Sequence, residues 1–298
     1  MLDFRPIQIT DKPWLDPLIR KGDLQSSDMN FTNLFIWSNG FKGEVAQSDD
    51  TLFLRFGFLE DRPCYAFPAG AESLKEAIET MKRDAKERGF PFTMRVSQGS
   101  LPQLEKLYGG SYHLESSDKW NDYIYDADRL ATLSGKKLHA KRNHIHRFEE
   151  HYHWRFEPIN KSNIDECRLM SEEWFEQVGE ERHVDYHDEY TALNNLFKYY
   201  DALSPDGGLL RAEGKVVAFT FGEPLSNDTF LIHFEKAFPH IQGGYTMINR
   251  EFVRYILNKY PGVQWVNREE DMGLENLRKS KQSYYPDMME VKHIAFWR

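Results

Sequence analysis

The chain has 298 residues, 40% of them hydrophobic and 29% charged, with a formal net charge of −9. Its length fits about two domains at roughly 150 residues each, and its apolar content excludes a disordered chain. No stretch approaches the roughly 20 apolar residues that span a bilayer. Cys64 and Cys167 are too few for a disulfide framework and lack metal-ligand spacing. The first residues, MLDFRPIQITDKPW, carry acids at positions 3 and 11 and no apolar run. A cytoplasmic chain without a signal peptide or membrane span is expected.

In chain order, residues 51–58 (TLFLRFGF) and 63–67 read as strands joined by a polar turn. Residues 71–87 read as a helix, with Leu74, Ile78 and Met81 on one face. A strand at 92–97, a short helix at 101–108 and two extended segments up to Tyr125 follow. The second half repeats this order with different residues. Strands are predicted at 209–212, 216–225 and 228–237, and a helix at 244–259 with Ile248, Phe252, Tyr255 and Ile256 on one face. A strand at 263–268, a helix at 273–284 and a terminal strand at 288–297 complete it. Short strands mixed with single helices predict an α/β or α+β fold in two related domains. The boundary is expected near residues 126–150.

That boundary holds the stretch KKLHAKRNHIHR, residues 136–147, with five Lys or Arg, three His and no acid. On a helix, Lys137, Lys141 and His144 share one face, and Leu138, Ile145 and Phe148 share another. The net charge argues against a general nucleic-acid coat and against DNA as a partner. The basic island fits either one anionic contact, such as a phosphate, or a solvated interdomain strut.

The junction FEKAFPHIQGGYTMINREF, residues 234–252, runs from a strand through Gln242-Gly243-Gly244 into an amphipathic helix. Glycines permit tight turns, and a helix N-terminus offers free N–H donors and about half a positive charge. Such a junction is either a pyrophosphate site or an ordinary strand-to-helix turn. Residues 239–248 resemble the acyl-coenzyme A turn of GNAT acetyltransferases, although the adjacent glycines depart from its usual spacing. Lys215-Val216-Val217-Ala218 after a Glu-Gly turn resembles a GNAT hairpin.

Four segments together resemble one family: 27–39 (SDMNFTNLFIWSN), 123–148, 234–237 (FEKA) and 268–286 (REEDMGLENLRKSKQSYYP). It is the uncharacterised bacterial family related to the C-terminal domain of phosphatidylglycerol lysyltransferase, with tandem GNAT folds akin to the Fem aminoacyltransferases. The resemblance implies two GNAT-like domains at 1–130 and 149–298, joined by a basic helical connector at 131–148. It also implies acyl or aminoacyl transfer, with the donor in the C-terminal domain alone. The N-terminal domain lacks the glycine-rich turn and would shape an acceptor cleft, with Asp28, Asn30, Asn33 and Trp37 as candidates; equally, Phe31, Leu34, Phe35 and Trp37 read as core.

The donor site expected from this comprises Phe234, Gln242, Gly243, Gly244, Tyr245, Thr246 and Met247, with Lys137, Lys141, Arg142 and Lys281 on its phosphates. An amine acceptor needs a base and a departing thiolate needs a proton. Glu235, Glu270 or Asp271 fits the first role and Tyr284 or Tyr285 the second; Glu235, Asp271 and Tyr284 are the catalytic assignments. No metal is expected, because His144 and His146 point apart on a helix and no Cys or carboxylate cluster completes a site. Three functions stay open. The first is transfer from acyl-coenzyme A to an amine. The second is transfer from aminoacyl-tRNA to an acceptor. The third is coenzyme A binding without catalysis.

Overall fold

The computed structural model describes residues 1–22, 24–48, 50–59, 62–182 and 187–298. Its strands are β1 (Arg5–Pro6), β2 (Glu44–Ser48), β3 (Thr51–Leu59), β4 (Arg62–Ala66), β5 (Thr93–Ser97), β6 (Tyr112–Ser116), β7 (Asp122–Asp126), β8 (Trp154–Pro158), β9 (Asp206–Ala212), β10 (Lys215–Pro224), β11 (Thr229–Ala237), β12 (Trp265–Asn267), β13 (Met288–Glu290) and β14 (Lys292–Trp297). Its helices are α1 (Lys12–Arg20), α2 (Phe31–Ile36), α3 (Ser38–Phe41), α4 (Leu74–Arg88), α5 (Leu101–Tyr108), α6 (Ala127–Thr132), α7 (His139–His151), α8 (Ile164–Arg182), α9 (His187–Lys198), α10 (Tyr200–Leu203), α11 (Gly244–Lys259) and α12 (Glu275–Gln282).

Two compact units result, each with one mixed seven-stranded sheet, in the tandem GNAT-like α/β arrangement predicted. The first unit comprises Met1–Asp122, Glu270–Glu275 and Met289–Arg298. Its sheet runs β1-β2-β3-β4-β5-β14-β6. Helix α4 begins at Ser73, whose hydroxyl accepts the Glu76 N–H, and stops at Gly89 in the left-handed region (φ 80). Between these caps, Ala77, Ile78, Met81 and Ala85 recur on one face and join Tyr65, Met94 and Val96 in the core.

The second unit comprises Tyr123–Glu269 and Asn276–Met288. Its sheet runs β13-β7-β12-β11-β10-β9-β8. Glu213 (φ 47) and Gly214 (φ 80) form the tight turn from β9 into β10, the left-handed pair that a twisted two-residue hairpin favours. Helix α11 buries Met247, Ile248, Phe252, Val253 and Ile256, and Phe252 meets the β11 ring of Phe230 edge-on at 5.8 Å. Strands β11 and β12 pair in parallel only from Thr229 opposite Trp265 to Leu231 opposite Asn267. There β12 ends, while β11 continues to Ala237. A wedge therefore opens between them.

The expected division was consecutive, at 1–130, 131–148 and 149–298, whereas the compact units are interleaved. The terminal segment read as one strand is cut at Val291. Its first part, β13, joins the second sheet, and its second part, β14, enters the first sheet between β5 and β6. The basic connector becomes α7, which lies within the second unit with Leu138, Ile145 and Phe148 buried, as its amphipathic spacing predicts.

Candidate active site

The wedge and the start of α11 define a site within the second unit. Gly243 precedes the helix with φ 85, and no side chain caps the first turn. A Cβ at Gly243 would sit on the His144 carbonyl oxygen of α7 and 3.1 Å from Phe148 Cβ. Only glycine satisfies both the left-handed backbone and the close passage of α7. At Gly244 a Cβ would meet Ala237 and Ile241 at an ordinary 3.4 Å. Helix packing thus accounts for the first glycine but leaves the second unconstrained.

Inside the wedge, Glu235 of β11 is held on both oxygens. Arg268 Nη2, just past β12, donates to Oε1 at 2.9 Å, and Asn249 Nδ2 of α11 donates to Oε2 at 2.9 Å. Arg268 Nη1 and Asn249 Oδ1 are buried without a hydrogen-bond partner among the described residues. A buried donor and a buried acceptor left open are costly, and native structures keep few of them.

Two cations share the ring of Tyr284. Lys141 Nζ of α7 lies 3.8 Å from its centroid and Arg268 Cζ 4.8 Å. Burial pushes the Tyr284 phenol up to about 12 against the opposing pull of Arg268. Burial and then the Arg268 charge push Lys141 down to about 8, with Glu235 opposing. The site thus sets two cations against one carboxylate that is already paired. It suits an anionic group carrying both an acceptor and a donor.

The other expected site residues scatter. Phe234 and Met247 are buried core, while Gln242 and Tyr245 are exposed beside the turn. Lys137 Nζ lies 5.3 Å over the ring of Tyr285. Arg142 donates to the carbonyls of Leu133 and Gly135 and so closes the end of α6. Lys281 Nζ donates to the carbonyls of Arg268 (2.6 Å) and Glu269 (3.1 Å), which fixes the segment that carries Arg268. Asp271 belongs to the first unit, fully buried, with Oδ1 accepting the Gly273 N–H at 2.8 Å. Asn249 was missed, although a lone amide on the apolar face of α11 is visible in the sequence.

The first unit holds a different cluster. Lys292 Nζ of β14 lies 2.6 Å from Asp122, 2.9 Å from Asp28 and 3.4 Å from Glu270. Asp122 also accepts from the Ser27 N–H (2.7 Å) and hydroxyl (2.8 Å), and Arg95 pairs with Asp28. Burial raises Asp28, but Arg95 and Lys292 outweigh it and hold the carboxyl at about 2. Burial pushes Glu270 up to about 7, with Lys292 opposing. Asp28, named as an acceptor-cleft candidate, is thus part of an ion network, while Asn30 caps α2 by accepting the Asn33 N–H.

A further buried group, His233 of β11, sits between Glu223 (3.1 Å) and Glu269 (3.3 Å) in the second unit. Burial lowers its basicity, but the two carboxylates win and hold it at about 9. Among the described residues, no group of His, Cys, Asp and Glu is arranged to hold a metal ion, and no helix is long and apolar enough to cross a membrane.

Comparison with known proteins places the fold. A conserved protein of unknown function from Bacteroides thetaiotaomicron is 35% identical, with all of both chains covered and a TM-score of 0.91. The structure of L-PGS from Bacillus licheniformis has the same fold at 18% identity, with 98% of this chain and 92% of that chain covered and a TM-score of 0.66. An uncharacterized protein of Mycoplasmoides gallisepticum, MYCGA3080, is 24% identical over 182 residues, which is 58% of this chain and 55% of that protein. The chain thus spans about half the length of that curated relative. The family model described as phosphatidylglycerol lysyltransferase, C-terminal, matches residues 20–296, and the chain belongs to that family.

Proposed function

We propose that the chain transfers an acyl group from a phosphate-bearing donor held in the second unit, with acyl-coenzyme A as the donor and an amine as the acceptor. The observation that carries this is the parting of β11 from β12 beside the uncapped, glycine-initiated α11. The surplus cations at Lys141 and Arg268 and the open Arg268 Nη1 suit an anion there. In this reading, residues 243–247 supply backbone N–H groups to the pyrophosphate. Lys137 borders the entrance, and Gln242 and Tyr245 flank it.

Glu235 is tied by Arg268 and Asn249, so it accepts the acceptor's proton only through a bridging water or after Arg268 turns to the ligand. Arg268 Nη1 points its hydrogens at charge developing on the reacting carbonyl. Tyr284 donates its hydroxyl proton to the leaving sulfur.

Family membership favours a second reading, in which the donor is an aminoacyl ester of tRNA. The two separate cleanly. Calorimetric titration with coenzyme A and acetyl-coenzyme A is expected to give micromolar binding that weakens at least tenfold in Arg268→Lys, where the planar donor is lost. Binding of charged tRNA with a steep salt dependence, and none of coenzyme A, would move the donor to the second reading.

A further inference from the structure

Three lysines of the second unit differ in one respect. Lys236 is paired with Glu189 at 2.8 Å, and Lys281 is hydrogen-bonded to two carbonyl oxygens. Lys141 has no carboxylate partner among the described residues, and only the Tyr284 ring lies against its amine. The groups facing it are Arg268 after β12, Glu235 of β11 and Tyr284 after α12, together with Lys137 and His144 on its own segment. Glu235 is neutralised by Arg268, so the net field on the amine is positive.

The amine also stands close to the donor turn. His144 and Phe148, one and two turns on from Lys141, are the α7 residues against which Gly243 closes. The Tyr284 ring lies beneath the Lys141 amine, its centroid 3.8 Å away. Lys141 is partly exposed, so an incoming carbonyl can reach it.

We propose that Lys141 is a self-acylation site, whose side-chain amine takes the acyl group of a donor held at the α11 turn. The proposal rests on the donor reading given above. The neutral Nζ attacks the thioester carbonyl carbon, and a carbon–nitrogen bond forms. The carbon–sulfur bond breaks, its electron pair leaves with sulfur, and the proton lost from nitrogen ends on the thiolate. One acyl-coenzyme A and one lysine give one Nε-acyl-lysine and one coenzyme A thiol. The product is neutral, so the wedge loses one of its two cations and its hold on further anionic donor weakens. The modification is thus a brake driven by unused donor. An amine that titrates near 8 is about a tenth neutral at pH 7, where an ordinary lysine is far less so.

The test incubates the whole chain with acetyl-coenzyme A from pH 7 to pH 9, followed by intact mass and peptide mapping. The expected result is one acetyl group on Lys141, added at least about tenfold faster than on any other lysine. Its rate should rise through a midpoint near 8 and fall when free coenzyme A competes. The adduct should be absent from the intact mass of Lys141→Arg. Labelling spread evenly over exposed lysines overturns the proposal. So does an unmodified Lys141 in protein that calorimetry shows to bind coenzyme A, and that result leaves the donor reading standing. Absence of both binding and labelling overturns the two together.

Discussion

Each unit buries a charge cluster, and the two are built on opposite rules. In the first unit, Lys292 and Arg95 face Asp28, Asp122 and Glu270, and Ser27 adds donors to Asp122. In the second unit, Lys141 and Arg268 face only Glu235, and Arg268 Nη1 and Asn249 Oδ1 are left open. Buried charges are stable where each has a partner, so the first cluster reads as structure. The second lacks partners that a ligand can supply. Burial of charge alone does not mark a site; incomplete compensation does.

The sharpest way to break the comparison is to remove the central cation of each cluster. Lys292→Met leaves Asp122 without a cation in the interior and should cost about 3–5 kcal/mol in denaturant unfolding. Next comes His233, which is compensated like the first cluster although it lies in the second unit. Its folded pKa is about 9 against an ordinary 6.5. Its contribution is therefore complete below pH 6.5 and lost as pH rises to about 9, a loss of about 3 kcal/mol. His233→Gln should flatten that window of the stability–pH curve. Glu270 acts with the same sign in an earlier window. Raised to about 7, it binds a proton in the folded state that the unfolded state has lost, so stability falls between about pH 4.5 and 7. Glu270→Gln should remove that slope and leave the His233 window untouched.

Gly243→Ala, which forces a Cβ against the α7 backbone, should cost about 1–3 kcal/mol. Gly244→Ala should be nearly silent in stability, and so offers a cleaner probe of ligand binding at the turn. The smallest effect belongs to Lys141→Met. No carboxylate loses its partner, so stability should change by less than about 1 kcal/mol. A loss as large as that of Lys292→Met would show that Lys141 is structural and erase the contrast between the units.

Much of this was legible in the sequence. The 3.6-residue recurrence of Leu138, Ile145 and Phe148 and the strand–glycine–helix junction at 237–244 both stand where periodicity and turn residues put them. Helix α8 was readable yet unread: Cys167, Met170, Trp174 and Val178 form its buried stripe, but that stripe is one residue wide in an acidic segment. The roles of Asp271, Arg142 and Lys281 were beyond reach. Each makes hydrogen bonds to main-chain atoms whose position depends on the tertiary fold, and residue type says nothing of that. Asp28 and Lys292 are separated by most of the chain, so no local pattern announces their pairing.

The placement of β14 bears on how the protein is made. That strand lies between β5 and the edge strand β6, so the sheet of the first unit lacks its sixth strand until residues 292–297 leave the ribosome. Chains usually fold domain by domain from the N-terminus during synthesis. Here the first unit waits for residues 292–297, with β5 and β6 presenting open edges in the meantime. The second unit, of which Tyr123–Glu269 is continuous, can assemble most of its sheet beforehand. The order of emergence is thus the reverse of the order of completion, and the nascent chain is most exposed to chaperones through β5 and β6.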